Sequence, residues 1–149
     1  MTETLKLLTD LLKKFEGCKL KAYKCPAGIW TIGYGSTRGV KEGDEITQEQ
    51  ADALLLEEAQ EYLDEALRLS PRLKSATPGQ QAAIASFVYN LGAGNYNSSS
   101  LKKNIDAGDF STARRLSIHL WNKATNPKTG KKVVLKGLVK RRQAEADLM

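Results

Sequence analysis

The chain has 149 residues, of which 41% are hydrophobic and 27% are charged, as in an ordinary globular domain. Two cysteines are far too few for a disulfide framework, and no apolar run approaches the ~20 residues of a membrane span. The composition therefore argues against a disulfide-stapled scaffold and against a transmembrane protein.

The net charge of +6 is distributed unevenly along the chain. In residues 41–70, ten acidic residues stand against two basic ones, whereas in residues 121–149 eight basic residues stand against two acidic ones. This arrangement favours a polyanionic partner that meets one face of the protein. Nucleic acid, an anionic cell wall and a membrane surface all carry the required charge.

The N-terminal segment predicts an amphipathic helix and no export signal. It lacks the charged start, apolar block and cleavage site of a secretory signal, so we expect synthesis in a cytoplasm with both cysteines as thiols. Thr2 or Thr4 can cap the helix, which should end near Glu16 and Gly17. Residues at three- and four-residue spacing form its apolar face: Leu5, Leu8, Leu11, Leu12 and Phe15.

Residues 20–35 change to the two-residue period of a β-hairpin, with Pro26-Ala27-Gly28 as its turn. One side of the second strand is apolar and should face the core: Trp30, Ile32 and Tyr34. The other side is small and should leave room for a ligand near the backbone: Thr31, Gly33 and Gly35. Residues 38–46 predict turns or a further short strand.

The rest of the chain predicts helices. A capping box at residues 47–50 opens a long helix that ends before Ser70. A second helix begins at Pro78 and contains the central core segment 82–91. Serines 98–100 can cap a short helix that runs to Asp106, and Asp109 can cap one that includes Leu120 and Trp121.

The C-terminal part predicts a basic loop at residues 122–136, which contains Asn126-Pro127, and then a helix at residues 138–148. That helix should pack through four apolar side chains: Leu138, Val139, Ala146 and Leu148. The predicted fold class is α+β, with a mainly helical body and a small β-hairpin lobe near the N-terminus.

Three chemically useful side chains fall on the helix and hairpin of the N-terminal part. Eight residues separate Glu16 from Cys25, and five separate Cys25 from Thr31. At a helix C-terminus the macrodipole disfavours a carboxylate, which suits a general acid. Cys25 is either inert packing, a nucleophile or a group that orients water, and Thr31 either forms strand only or holds a water molecule. Taken singly, these signals are weak.

Taken together, they resemble the motif of the phage-type lysozymes, or endolysins, of the T4-like group (glycoside hydrolase family 24). The family's motif is Glu, eight residues, Asp or Cys, five residues and Thr, followed by a Gly-rich strand, here TIGYGST. Further matches cover nearly the whole chain in order: NLGAG at residues 90–94, the serines before LKKNIDAGD, the late Trp121, and GLVKRR at residues 137–142.

The resemblance implies a single lysozyme-like domain over residues 1–149, with a catalytic helix-hairpin unit at about 3–46, a helical body at about 47–149 and a cleft between the lobes. It implies hydrolysis of the β-1,4 bond between N-acetylmuramic acid and N-acetylglucosamine in bacterial peptidoglycan. Glu16 would protonate the departing oxygen, and Cys25 and Thr31 would orient or activate the attacking water in an inverting scheme.

We also expect substrate contacts and partners from the resemblance. The substrate-binding candidates are Gly33, Tyr34, Asn90 and Arg141, and either Arg141 or Arg142 would approach Glu16. The protein would be a monomer that lyses the host cell from the periplasmic side, without stable membrane insertion, and would need a holin-type pore to reach the wall. The basic residues 131–142 fit attraction to an anionic wall.

No metal or organic cofactor is expected. Cys18, Cys25 and His119 lack the spacing of a structural zinc site, and His119 is expected to be a packing or surface residue.

The sequence also departs from the family's pattern. Cys25 stands where much of the family has Asp, and a neutral thiol is a poorer base, which leaves the stereochemical outcome open. Ser36 stands where a His is common, and we expect an effect on lobe stability or orientation. A regulatory disulfide between Cys18 and Cys25 is one hypothesis, and two thiols that never meet is the other.

Two other functions remain as alternatives. A catalytically weak peptidoglycan-binding module of the same fold would follow if Cys25 cannot replace Asp. A basic nucleic-acid-binding protein would fit the C-terminal charge, but the sequence has no recognisable binding motif and the acidic segment opposes it.

Overall fold

The computed structural model describes residues 1–126 and 128–149; Pro127, and with it the predicted Asn126-Pro127 pair, lies outside the described residues. The helices are α1 Glu3–Glu16, α2 Gln48–Leu69, α3 Pro78–Leu91, α4 Ala93–Asn97, α5 Ser100–Asp106, α6 Phe110–His119 and α7 Lys136–Leu148, with a 3-10 helix at Pro71–Ser75. The strands are β1 Lys19–Lys24, β2 Trp30–Gly33, β3 Lys123–Thr125 and β4 Lys132–Val134. A mainly helical chain with two small antiparallel hairpins confirms the predicted α+β class.

The chain divides into two compact units, Met1–Glu61 and Tyr62–Met149, with the boundary inside α2. The assignment of residues 1–149 to a single domain stays a prediction. In the part of the chain that the structure describes, no helix combines the length and the apolar character needed to cross a membrane.

Helix α1 forms as its capping and periodicity predict. The Thr2 hydroxyl accepts a hydrogen bond from the Leu5 N–H at 3.2 Å, and Gly17 ends the helix with φ 66°. The four leucines of the predicted face are buried, and Phe15 is half-buried. The predicted start, end and apolar face of this helix are confirmed.

The N-terminal hairpin pairs β1 with β2 in antiparallel register, with Tyr23 opposite Thr31 and Lys24 opposite Trp30. A third segment joins β1 on its other edge, because the Ala22 N–H bonds the Asp44 carbonyl at 2.9 Å and the Ile46 N–H bonds the Leu20 carbonyl at 2.9 Å. Residues 38–46 are predicted to form turns or a further short strand, and the structure shows turns with an isolated bridge at Glu45.

The second strand ends earlier than the alternating pattern predicts. Its last residue is Gly33, with φ 65°, and Gly35 has φ 94°, so the chain turns. Ile32 and Ser36 exchange two backbone hydrogen bonds of 2.9 Å across this turn. The prediction of a strand that continues to residue 35 is wrong, because two glycines with positive φ fold the segment back on itself.

The small side of β2 is also more enclosed than predicted. Thr31 is 4% exposed, and Gly33 is buried with Ile46 and Ala51 in van der Waals range of the place where a side chain would begin. Of the predicted apolar side, Ile32 is 4% exposed, whereas Trp30 and Tyr34 are half-buried. The side of β2 that carries Thr31 and Gly33 therefore has less open space than predicted.

Helix α2 begins with the predicted capping box, in which Gln50 N–H bonds the Thr47 hydroxyl at 3.1 Å and Thr47 N–H bonds the Gln50 side chain at 2.9 Å. Its buried Glu58 accepts a hydrogen bond of 2.7 Å from the buried Ser36 hydroxyl. This contact ties the hairpin turn to the helix, which agrees with a stabilising role for Ser36.

Helix α3 supplies the core of the second unit. Thr77 and Gln80 form a complete capping box, Pro78 occupies the first turn, and Gly92 ends the helix with φ 90°. Residues 82–88 are all buried, and the Phe87 ring lies 5.9 Å from the ring of Tyr96 in an edge-to-face arrangement. The predicted central core helix is confirmed.

The C-terminal part differs from the prediction in three ways. Helix α6 ends at His119, so Leu120 and Trp121 lie beyond it. The predicted loop at 122–136 contains β3 and β4, which pair with each other. Helix α7 does not pack through Val139, which is 37% exposed; its buried residues are Arg141, Arg142, Glu145 and Ala146. Apolar periodicity missed this helix face because three of its four buried residues are charged.

We predict that Ser36→Ala lowers the free energy of unfolding by about 1–3 kcal/mol, because the buried Glu58 oxygen loses its donor. Ser75→Ala is the matched control, since Ser75 is exposed and donates only to the Arg72 carbonyl at 3.3 Å. The control should stay within about 0.5 kcal/mol of wild type. Urea unfolding measures both, and equal effects of the two substitutions would contradict the anchoring role of Ser36.

Candidate active site

The turn of the N-terminal hairpin brings Cys25 and Ile29 together. The Cys25 N–H donates to the Ile29 carbonyl at 3.0 Å, and the Gly28 N–H donates to the Cys25 carbonyl at 2.8 Å. Gly28 has φ 80°, a conformation that favours glycine. The predicted turn at residues 26–28 is confirmed, and Cys25 lies directly before it, paired with Ile29 directly after it.

The Cys25 sulfur lies among hydrogen-bond donors. The backbone N–H of Ile29 is the main cause that lowers the pKa of the Cys25 thiol, and the N–H of Ala27 and the Thr31 hydroxyl add to it. Partial burial acts in the opposite direction but does not outweigh these donors. Donors that point at sulfur stabilise the thiolate, which is the reactive form of cysteine.

Thr31 completes this cluster. Its hydroxyl lies 2.9 Å from the Ile29 carbonyl, to which it can donate, and it also bonds the Cys25 side chain. A hydroxyl has one proton, so Thr31 donates either to Ile29 or to the sulfur. When it donates to Ile29, its oxygen lone pairs can accept a hydrogen bond from the thiol or from a water molecule.

Glu16, the third predicted catalytic residue, is the last residue of α1 and is half-buried. Two residues, Gly17 and Cys18, connect it to β1. The helix end and the hairpin are thus consecutive in the chain, as the sequence predicts. The structure joins Cys25 and Thr31 by direct contact and places Glu16 in the same unit.

The hydroxyl of Tyr34, a predicted substrate-binding residue, forms hydrogen bonds with two side chains of α2. It donates to Asp52 Oδ1 at 3.2 Å and accepts from Gln48 Nε2 at 3.1 Å, while Gln48 also bonds Asp52 at 2.9 Å. The Gln48 amide is the main cause that lowers the pKa of Asp52, and Tyr34 and Lys13 contribute. Burial raises the pKa of Tyr34. This network holds the Tyr34 ring in place after the hairpin.

Gln48 and Asp52 were not singled out from the sequence. Their four-residue spacing on a helix predicts that the two side chains meet, so a search for i, i+4 polar pairs would find them. Tyr34 reaches these two side chains because the chain turns back after β2. The alternating sequence pattern did not predict this turn.

The hypothesised disulfide is absent, because both cysteines are free. Cys18 precedes β1 and Cys25 follows it, so a six-residue extended strand lies between them. At roughly 3.3 Å per residue the two α-carbons stand on the order of 20 Å apart, whereas a disulfide needs about 7 Å or less. A bridge between them would require β1 to come apart.

In the second unit, the other two predicted substrate-binding residues belong to a buried polar cluster around Glu145. Arg142 donates to Asn90 Oδ1 at 2.9 Å and to Glu145 Oε2 at 3.1 Å. Arg141 Nε lies 3.5 Å from the same oxygen, and the Ser86 hydroxyl donates to it at 2.5 Å. Burial raises the pKa of Glu145 and lowers that of Arg142, and their mutual attraction opposes both shifts.

This cluster links α7 to α3 and was only partly anticipated. Glu145 follows Arg141 by four residues and Arg142 by three, a spacing at which ion pairs form on a helix. The sequence could therefore suggest the pairs but not their burial. The expectation that one of these arginines approaches Glu16 stays a prediction.

An open pocket of about 590 Å³ lies in the second unit and has a mixed polar and apolar lining. Serine, threonine, asparagine and lysine side chains line it together with His119 and Trp121. Trp121 has φ 60°, a strained backbone for a bulky residue, and its ring packs edge-to-face 5.7 Å from Phe87. Polar groups beside an indole are suited to binding carbohydrate, and no sequence pattern predicted this conformation.

Among residues 1–126 and 128–149, no group of three or more His, Cys, Asp or Glu side chains is arranged to hold a metal ion. His119 is exposed at the end of α6, in agreement with the predicted surface position.

Comparisons with known proteins agree with the motif. The chain is 43% identical to the endolysin of Acyrthosiphon pisum secondary endosymbiont phage 1 over 93% of its own length and 91% of that protein. It is 39% identical to the endolysin of Bacillus phage B103 over 93% of its length but spans only 51% of that protein. The solved muramidase domain of SpmX from Asticaccaulis excentricus superposes with a TM-score of 0.85 at 31% identity, covering 94% of this chain and 92% of that one.

The family model described as phage lysozyme matches residues 13–145, a range that contains Glu16, Cys25 and Thr31. The match covers most of the chain and agrees with the sequence and structural relatives. The chain therefore belongs to the phage lysozyme family and is a glycoside hydrolase of the lysozyme type.

Proposed function

We propose that the protein is an endolysin that hydrolyses the β-1,4 bond between N-acetylmuramic acid and N-acetylglucosamine in bacterial peptidoglycan. The observation that carries the proposal is the cluster of donors around the Cys25 sulfur, next to Thr31 and in the same unit as the half-buried Glu16. Acid, base and water-binding groups in one unit are what glycoside hydrolysis needs.

In the proposed mechanism Glu16 is the general acid. Its carboxyl group is half-buried at the end of α1, so it can reach a bound substrate while part of it is shielded from bulk water. It gives its proton to the glycosidic oxygen as the bond to the anomeric carbon breaks. The leaving sugar then departs as a neutral alcohol.

Cys25 and Thr31 are proposed to prepare the attacking water. The donors that lower the pKa of Cys25 make its thiolate available, and a thiolate can take a proton from water as the oxygen attacks the anomeric carbon. Thr31 can hold that water through its lone pairs while it donates to the Ile29 carbonyl. The lowered pKa of Cys25 supports this role, because a thiolate is a better base than a neutral thiol.

An inverting outcome follows if water attacks directly from the face opposite the leaving group. In such enzymes the acid and the base stand roughly 6.5–9.5 Å apart, which leaves space for the water. A thiolate that attacked the sugar itself would instead give retention through a covalent intermediate. We propose the inverting course, because Thr31 supplies a water site beside the sulfur.

Substrate contacts are proposed at Gly33, Tyr34, Asn90 and Arg141. Tyr34 would present its ring, since its hydroxyl is held by Asp52 and Gln48. Asn90 would use the amide group that Arg142 positions. Arg141 or Arg142 would approach the acid Glu16. The pocket beside Trp121 is a further candidate for wall carbohydrate.

The biological role proposed is lysis of a bacterial host by a monomeric enzyme that acts on the wall, with a holin-type pore for access. The family relatives that carry the name endolysin support this role. No observation in the described residues favours the nucleic-acid-binding alternative.

Glu16→Gln should lower the rate of wall clearance by about 10²–10⁴-fold, because the amide has no proton to give to the leaving oxygen. The control is Glu3→Gln, the same substitution at an exposed position in the first turn of the same helix. Clearance of outer-membrane-permeabilised Gram-negative cells measures both variants. Full activity of Glu16→Gln would contradict the acid role, and a wild type that binds walls without clearing them would favour a binding module.

Alkylation of Cys25 should reach half its maximal rate at a lower pH in the folded protein than in the urea-unfolded chain, because the folded state stabilises the thiolate. Thr31→Val keeps the size of the side chain but removes one donor, so its midpoint should rise towards the unfolded value. Mass spectrometry of the Cys25 peptide after short iodoacetamide pulses across pH gives both curves. If the alkylation of Cys25 had the same midpoint pH in the folded and unfolded protein, the proposal that Cys25 acts as the base would be contradicted.

A further inference from the structure

The segment that joins the second hairpin to α7 is exposed almost without interruption. Of residues 131–140, only Leu138 is half-buried and all the others are exposed. We call residues 131–136, together with Lys123, Val139 and Lys140, the basic hairpin surface. It belongs to the second unit, whereas Glu16, Cys25 and Thr31 belong to the first.

The basic hairpin surface displays aliphatic side chains that a soluble fold would ordinarily cover. Val133 is 40% exposed, Val134 is 58% exposed, and Leu135 and Val139 are 41% and 37% exposed. These four belong to a set of only ten large hydrophobic residues that are exposed in the described chain. Exposed apolar residues that cluster in this way mark interaction sites, whereas scattered ones need no explanation.

The geometry of the strands explains why these residues are uncovered. β3 and β4 pair only with each other among the described residues, so the outer edge of each strand lacks a strand partner there. Lys123 lies opposite Val134, and cross-strand partners share a face. Leu135 and Val139 are one helical turn apart, and the Val139 N–H bonds the Leu135 carbonyl at 3.0 Å.

Basic residues flank these apolar residues along the sequence. Residues 110–144 contain ten lysines and arginines and no aspartate or glutamate. Two of the ten, Arg141 and Arg142, are buried against Glu145 and do not contribute to the surface. The lysines of the basic hairpin surface are all exposed, and their only neighbours in sequence are neutral or basic.

We propose that the basic hairpin surface docks on an anionic phospholipid bilayer. Lysines attract the negative surface of such a membrane, and short aliphatic side chains between them enter the boundary of the acyl chains. Long lysine side chains can keep their charge at the headgroups while their stems lie along apolar surface. The docking is peripheral, and it neither requires nor assumes that the protein hydrolyses peptidoglycan.

The type of apolar side chain favours a lipid bilayer as the partner over a glycan strand or a nucleic acid. Unpaired nucleobases are bound by stacking on aromatic rings, whereas the four exposed apolar side chains of this surface are all aliphatic. Lys123 and Lys132 of the surface also line the pocket beside Trp121. A purely electrostatic wall contact would use the lysines and would gain nothing from Val133 and Val134. A bilayer interacts with both the lysines and the aliphatic side chains, so it accounts for the presence of both along residues 131–140.

The test is co-sedimentation of the full chain with vesicles of phosphatidylcholine alone and of equal parts phosphatidylcholine and phosphatidylglycerol. Wild type should bind only the anionic vesicles. Val133→Ser/Val134→Ser should weaken binding by about tenfold or more, because several buried methyl groups are lost. Leu20→Ser is its control, since Leu20 is an apolar strand residue that is 39% exposed in the other unit.

Lys131→Gln/Lys136→Gln should weaken binding to the anionic vesicles by about twenty-five-fold, at roughly fivefold per lysine. Lys6→Gln/Lys74→Gln removes the same charge from exposed positions elsewhere and should have little effect. Circular dichroism melting of each variant ensures that a loss of binding is not a loss of fold.

Several results would overturn the proposal. Failure of the wild type to bind either vesicle would contradict it. Equal binding to anionic vesicles with and without the two valines would leave only non-specific charge attraction. Loss of binding to purified peptidoglycan in the valine variant, without any vesicle binding, would assign the surface to the wall. A dimer in light scattering that the valine substitutions dissolve would assign it to a second copy. Since vesicle binding needs no catalysis, a Glu16→Gln protein that still binds separates this proposal from the muramidase proposal.

Discussion

The hydrogen bond from the Cys25 N–H to the Ile29 carbonyl fixes the register of the N-terminal hairpin, and the proposed active site depends on that register. It closes the turn so that the Cys25 sulfur meets the N–H of Ile29 and the hydroxyl of Thr31. A slip of one residue would turn every side chain of β2 to the opposite face. Thr31 would then leave the sulfur, and the thiolate would lose its donors.

Two further contacts keep this register from slipping. The paired bonds between Ile32 and Ser36 end β2 at a defined residue, and the Ser36 hydroxyl ties that end to Glu58 of α2. On the other edge, the Ala22 N–H bonds the Asp44 carbonyl, so β1 is held on both sides. A two-stranded hairpin alone is marginally stable in water, and these contacts supply the support that it lacks.

The sequence predicted the parts of the fold that local chemistry decides. Thr2 and Asp109 each cap a helix at a position where the sequence predicts a capping residue, and α3 begins at Pro78 as predicted. The end of β2 was mispredicted, because the glycines that break the strand also fit an alternating pattern. The buried face of α7 was missed, since Arg141 and Arg142 become buried only when Glu145 and Ser86 receive them. Contacts between distant segments decide such burial, and periodicity does not report them.

The candidate site was predictable to a similar extent. The spacing of Glu16, Cys25 and Thr31 identified the family before any geometry was known. The donors that lower the pKa of Cys25 could not be read from the sequence, because they are backbone N–H groups that the turn orients. The basic residues of the C-terminal part occupy two environments. Two arginines are buried in the second unit with Glu145, and the lysines are exposed on its surface.

The central claim is that a water molecule prepared by Cys25 and Thr31 cleaves the bond on the reducing side of N-acetylmuramic acid. Mass spectrometry of peptidoglycan fragments reduced with borohydride after digestion tests this claim most directly. The account predicts fragments that end in N-acetylmuramitol. Fragments that end in N-acetylglucosaminitol would show that another bond is cleaved, and anhydromuramic ends would show that no water attacks, so either result would contradict the account.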